Sequence, residues 1–246
     1  MAVRTIKLIV QYDGSRYHGW QIQPGRRTIQ GELVEAVSNL VGTRTHVHGA
    51  SRTDAGVSAL GQVALFEVDS PIPTENFPKA INGRLPRDIV VTAAEEPPPK
   101  FDLMGGVKSK LYRYTIFTGR YRPVLRLNRC WHIPRKLDVA AMNQAAQLLV
   151  GTKDFKSFAG AKDRRDQTVR TIFRCEVTAE DEWIYIDVEG DGFLYNMVRN
   201  IVGTLVDIGV GRWQPEKIKE ILETRNRTAA GRLAPPQGLC LMWIKY

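Results

Sequence analysis

Cysteine is scarce in this chain and badly placed for cross-linking. Cys130, Cys175 and Cys240 are far apart and odd in number, so neither a disulfide framework nor a CxxC zinc site is indicated. Long apolar runs are missing as well. None approaches the roughly 18 residues that a spanning helix requires. The N-terminal stretch Ile6-Lys7-Leu8-Ile9-Val10-Gln11-Tyr12 is broken by polar residues, so no signal peptide is expected and the cytoplasm is the expected compartment. A Walker A pattern and a GxGxxG after a strand are both absent, which removes support for a nucleotide cofactor. Acidic residues are in deficit, 26 against 35 basic, leaving a net charge of +9 and a pI near 9.6. That excess favours a polyanionic partner, and charge alone does not separate nucleic acid from an anionic membrane surface.

What is present suits a folded, water-soluble protein. Its 246 residues, 25% charged and 43% hydrophobic, suffice for one large domain or two of ordinary size. The first half reads as a strand Thr5 to Tyr12 and a turn at Asp13-Gly14. A helix from Thr28 follows, with Ile29, Leu33, Val37 and Leu40 on one face and Gly42 after its end. Strands are expected at Thr45 to Ala50, Gln62 to Val68 and Ile89 to Ala94, with a short helix at Phe77 to Asn82. Glu95-Glu96-Pro97-Pro98-Pro99-Lys100 reads as a linker, since prolines stiffen it and cannot extend a sheet.

The second half opens with a strand from Val107 to Phe117. A helix from Asp138 to Val150 is expected to end on Gly151 as its cap. Paired strands follow at Thr171 to Thr178 and Trp183 to Glu189. Helices from Leu194 to Ile208 and Pro215 to Thr224 and a last strand from Leu239 complete the order. Strands in hairpin-like pairs mixed with helices predict an α+β fold, divided into halves at 1–104 and 105–246.

One segment stands out chemically. Ser51-Arg52-Thr53-Asp54-Ala55-Gly56-Val57-Ser58-Ala59 puts a single carboxylate beside an arginine and a flexible Ala-Gly pair, on a loop between two strands. Loops fixed on a strand scaffold are where proteins present reactive groups. For an arbitrary Asp-x-Gly the plainer account is a turn. His46 and His48 alternate along the expected strand and face one side. Without a third ligand nearby, they read as a solvated or hydrogen-bonded pair rather than a metal site.

The Asp54 segment resembles the catalytic loop of the TruA family of tRNA pseudouridine synthases, typically G-R-T-D-A-G-V-H-A. Arg52 through Val57 match it intact, whereas Ser51 stands where the family often has Gly and Ser58 where it often has His. The likeness runs from Val10-Gln11-Tyr12-Asp13-Gly14 and His18-Gly19-Trp20-Gln21 to Gly238-Leu239. It implies two α/β halves whose antiparallel sheets join side by side around a catalytic cleft, no cofactor, and a homodimer that grips tRNA. Under it, Asp54 is the nucleophile that acts on uridines of the anticodon stem-loop, positions 38 to 40 in tRNA numbering.

Four further positions take roles from the resemblance. Tyr112, in Tyr112-Arg113-Tyr114, stacks on the extruded uracil; packing in a core is the alternative. Arg199, within Phe193-Leu194-Tyr195-Asn196-Met197-Val198-Arg199 and on an otherwise apolar helix, needs a partner, and the family supplies Asp54. Leu239 lies beneath the base, or is an ordinary core residue. Arg52 fills the space the base leaves, or is a surface charge. Basic clusters at Arg16, Arg26 and Arg27, at Arg120, Arg122, Arg126 and Arg129, and at Lys162, Arg164, Arg165 and Arg170 are expected to meet phosphates. Two other functions fit parts of this pattern. A non-catalytic RNA-binding or chaperone protein would use the same basic patches, and a base glycosylase would share the carboxylate but release free base.

Overall fold

The computed structural model describes residues 3–246. The chain divides into two compact units, Met1–Lys108 with Cys240–Tyr246, and Ser109–Leu239. Relative to the halves read from the sequence, the division falls four residues later. The closing strand, apart from its first residue Leu239, belongs to the first unit.

The first unit runs β1 (Arg4–Tyr12), α1 (Ile29–Val41), β2 (His48–Gly49), β3 (Ser58–Val68), α2 (Phe77–Asn82) and β4 (Ile89–Glu95). The second runs β5 (Ser109–Phe117), β6 (Trp131–His132), α3 (Val139–Gln147), β7 (Gly151–Asp154), β8 (Val169–Glu180), β9 (Trp183–Gly190), α4 (Met197–Gly209) and α5 (Lys217–Thr224). Strand β10 (Leu239–Lys245) follows. Each unit is α+β.

In the first unit β1 is central, antiparallel to β3 on one side and β4 on the other, while β10 joins β3 in parallel. Alternation along β1 buries Ile6, Leu8, Val10 and Tyr12, the period-2 pattern of a strand with one core-facing side. Phe66 lies opposite Ile6 and meets Phe77 of α2 edge to face at 5.5 Å, so α2 covers that side. Helix α1 starts where Thr28 accepts a bond from the Gly31 N–H at 3.2 Å, the side-chain cap that removes an orphan donor. The opposite side of the sheet holds a smaller cluster of Ala50, Val63 and Leu103, with Ile9, Ile244 and Tyr246 packed against it.

The expected strand at Thr45 to Ala50 shortens to His48–Gly49, because side chains of α1 take its backbone groups. Ser38 Oγ accepts from the Thr45 N–H at 2.9 Å, and Gln30 Nε2 donates to the Val47 carbonyl at 2.8 Å.

In the second unit, β5, β9, β8 and β7 form an antiparallel sheet, with β6 added to β5 in parallel. Helix α3 is tied to β8 by its own polar side chains. Asn143 accepts from the Val177 N–H at 3.0 Å and Gln147 donates to the Cys175 carbonyl at 2.9 Å. Gly151 is not the cap of α3. That helix closes on Leu148 in right-handed geometry, and Gly151 opens β7 opposite Ile172.

Helix α4 begins at Met197, three residues after the expected Leu194, because the preceding residues are drawn into the 160–165 loop. Tyr195 donates its N–H to Asp163 at 2.7 Å and accepts from the Gly160 N–H at 2.7 Å. Asn196 then turns in left-handed geometry, φ 59°. Of the residues in α4, all but Arg199 are buried. A helix buried on nearly every side must satisfy its polar groups inside the protein: Asn200 donates to the Phe158 carbonyl at 2.7 Å and Asp207 pairs with Arg232 at 2.8 Å, and Arg199 is its one guanidinium.

Candidate active site

The Asp54 loop is braced from several directions. Upstream, Ser51 gives its N–H to Gln62 Oε1 at 3.1 Å, and its carbonyl accepts from Gln62 Nε2 at 2.6 Å. Gln62 is fully buried in β3, so its amide substitutes for a strand that is not there. Thr53 is held at both ends: its hydroxyl is 2.8 Å from the Tyr12 hydroxyl, and its carbonyl accepts from the Trp20 N–H at 3.0 Å. Asp54 itself is half-buried and closes a turn, its carbonyl accepting from the Val57 N–H at 3.1 Å. Downstream, Gly56 donates its N–H to the Tyr17 carbonyl at 3.3 Å. Ser58, one of the departures from the family pattern, accepts from the Gly14 N–H at 3.1 Å.

The segment 12–20 can lie this close only because it lacks side chains where it crosses the loop. Gly19 has φ +88°, and a Cβ there would fall 2.6 Å from the Thr53 carbonyl oxygen. Its neighbour Tyr17 is buried and donates its hydroxyl to Asp88 at 2.5 Å. Burial and that carboxylate push the Tyr17 hydroxyl well above the usual tyrosine range. Arg52 is exposed beside the loop.

The second unit gathers Tyr112, Arg199 and the approach to Leu239. The segment 231–238 crosses α4 at Gly203, where a Cβ would lie 1.7 Å from the Arg232 carbonyl oxygen. Having crossed, it bonds Arg199 twice. Arg199 Nε donates to the Ala234 carbonyl at 2.8 Å, and the Ala234 N–H donates to the Arg199 carbonyl at 3.2 Å. Arg199 Nη1 also donates to Asn196 Oδ1 at 3.0 Å. Tyr114 of β5 anchors the next residue, its hydroxyl donating to the Pro235 carbonyl at 2.7 Å. The same segment delivers Leu239, which is buried.

Tyr112 points to the same side of β5 as Tyr114 and packs edge to face on Phe193 at 5.3 Å. Lys110 lies on that side too. Burial lowers its ammonium to about 8.

Asp54 and Arg52 thus belong to the first unit, and Tyr112, Arg199 and Leu239 to the second. Among the basic residues expected to meet phosphates, Arg26 and Arg164 are exposed. Arg27 is paired with Glu32 at 2.6 Å and lies over the Tyr17 ring at 4.5 Å. Arg165 is paired with Asp163 at 2.6 Å, and that bond holds the Asp163 carboxyl far below the ordinary range. Sequence reasoning did not single out Gln62, Tyr12 or Gly203. Gln62 had a detectable signal, a polar residue at the buried phase of an apolar strand.

A strongly basic chain of two α+β units, with a braced carboxylate loop in one and a lone arginine on a buried helix in the other, defines a protein of the nucleic-acid-modifying class. The family model described as tRNA pseudouridine synthase matches residues 8–103 and 145–246. The chain belongs to that family. Similar proteins include tRNA pseudouridine synthase A of Caldicellulosiruptor saccharolyticus, 41% identical over 99% of this chain and 100% of that one. The enzymes of the same name from Acetivibrio thermocellus, 42% identical with the same coverage, and Anoxybacillus flavithermus, 45% identical over 99% of both chains, are similar to it as well. Membership makes the chain an isomerase that acts on tRNA.

Proposed function

We propose that this chain isomerises uridine to pseudouridine in the anticodon stem-loop of tRNA, at positions 38 to 40, with Asp54 as the nucleophile. The observation that carries the reading is the Asp54 loop, whose intact Arg52-Thr53-Asp54-Ala55-Gly56-Val57 is held by Gln62, Tyr12 and Trp20. A carboxylate that must act on one sugar carbon benefits from a backbone that does not move.

In this reaction the bond from uracil N1 to the ribose breaks, the uracil turns, and C5 joins the same carbon. The proton that C5 then carries is lost, and N1 gains one. Asp54 traps or stabilises the electron-poor anomeric carbon while the base is detached, as carboxylates do in glycoside hydrolysis. The target leaves its stack first, and Arg52 fills the space it vacates. Tyr112 offers its ring to the detached uracil, with Leu239 beneath. Arg199 orients the Asp54 carboxylate by a charge-assisted bond. The electron pair of the broken bond leaves with the uracil and C5 returns a pair to the anomeric carbon, so the isomerisation involves no net oxidation or reduction. The enzyme works in the cytoplasm as a homodimer.

The test is incubation of the purified protein with an unmodified tRNA transcript labelled at uridine, then complete digestion and nucleoside chromatography. Pseudouridine in catalytic amounts, absent with Asp54→Asn although tRNA still binds, is the expected result. Free uracil would make the protein a glycosylase. Unchanged uridine despite tight binding would make it a binding protein.

A further inference from the structure

Between β5 and β6 the chain leaves the second sheet as an arm, Gly119 to Cys130. Its root is built firmly. Thr118 donates its N–H and hydroxyl to the Glu182 carbonyl at 2.8 and 2.9 Å, and the His132 ring bonds the Gly119 carbonyl at 2.8 Å. A 3-10 turn from Val124 to Arg129 stiffens the far end.

The tip is unusual for a water-facing surface. Tyr121 is 76% exposed, Val124 75% and Leu125 98%. Clustered exposed apolar side chains mark contact surfaces. Arg122 stands between them and Arg120 and Arg126 flank them, none in an ion pair among the described residues; Arg126 lies over the Trp183 ring at 5.0 Å, and the arm contains no acidic residue. The Arg120 guanidinium lies 5.3 Å from the centre of the Tyr121 ring, a stacked pair that leaves both flat faces suited to a nucleobase.

We propose that this arm is a second grip on tRNA, distinct from the pocket for the target uridine. Its arginines take backbone phosphates, and Tyr121 and Leu125 lie against sugars or unstacked bases. The inference rests on the tRNA reading above. The root of the arm is about 17 Å along β5 from Tyr112, five residues at strand spacing, so the phosphates it reaches belong to nucleotides away from the target. Charge selects RNA over a second copy of the chain, because that copy carries a net charge of +9 and a polyanion is the better counterpart for three unpaired guanidiniums. The acidic turn Glu180-Asp181-Glu182 sits beside the root, which confines RNA to the tip.

The experiment compares wild type with Arg120→Ala/Arg122→Ala/Arg126→Ala and, separately, Leu125→Ser. The readouts are tRNA affinity across salt concentration, steady-state turnover, and mass by light scattering. The triple variant is expected to reduce the salt slope by about 2–3, one near-unit step for each phosphate that is no longer neutralised. Its KM for tRNA should rise about tenfold or more, with kcat at saturation within about twofold of wild type. Leu125→Ser should raise KM at unchanged mass. An unchanged slope and KM would overturn the proposal, and so would a halved mass for Leu125→Ser, which would assign the tip to an interface between copies. A reduced slope in a protein that forms no pseudouridine would sustain the arm and remove only the catalytic reading.

Discussion

Gln62 holds Ser51 by both of its backbone groups, accepting from the N–H at 3.1 Å and donating to the carbonyl at 2.6 Å. One side chain on a rigid strand therefore fixes the start of the loop that ends in Asp54. The placement of this loop derives from a residue that has no acid–base or nucleophilic chemistry of its own.

Gln62→Met should keep the side-chain volume but leave the Ser51 backbone groups unsatisfied in a buried place. Each such group costs about 1–3 kcal/mol, so thermal stability should fall. Turnover should fall further than stability explains, with tRNA affinity close to wild type. Equal losses in affinity and kcat would show that Gln62 supports the RNA surface rather than the loop.

Gly203→Ala should displace the segment 231–238, because the added carbon would fall 1.7 Å from the Arg232 carbonyl oxygen. Overpacking of this kind costs about 1–3 kcal/mol. Since the same segment bonds Arg199, kcat should drop with little change in tRNA binding. Gly83→Ala is the control. Its nearest neighbours would be 3.7 and 3.8 Å away, so denaturation midpoint and kcat should stay at the wild-type level.

Lys110 supplies a pH signature. Burial lowers its folded-state value to about 8 from an ordinary 10.5. Between those values the unfolded chain binds more protons than the folded one, so stability rises with pH across that window. Below about 8 the buried ammonium costs up to about 3 kcal/mol. The stability of Lys110→Met minus that of wild type should be largest below pH 8 and shrink toward pH 10.5. A difference that stays flat across this range would show that Lys110 is solvated in the folded protein.

Much of this architecture was legible because periodicity reports burial directly. Strand β1 alternates from Thr5 to Tyr12, and α1 carries its apolar stripe between Thr28 and Gly42. The misreadings share one cause, tertiary bonds that no local pattern encodes. Thr45 to Val47 has strand composition but gives its backbone to Ser38 and Gln30. Leu194 to Asn196 continues the apolar run of α4, yet Asp163 and Gly160 unwind it. Asp54 and Arg199 were visible through the motifs that carry them. Gly203 was not, because a glycine in a helix gives no hint of which backbone will cross it. The pairing of Arg27 with Glu32 and of Arg165 with Asp163 was not legible, because sequence shows charge and not its partner.

Strand β10 has a consequence for the order in which this protein is made. It pairs with β3 through Cys240 and Leu241, and the Tyr246 hydroxyl donates to the Leu103 carbonyl at 2.9 Å. The unit that opens with β1 is therefore sealed by residues made only after the whole of the second unit. While the second unit is being synthesised, the first waits with the edge of β3 open, a surface that invites wrong pairing. A message truncated just before codon 240 would spare every residue proposed for the site and still leave the strand that carries Gln62 without its parallel partner.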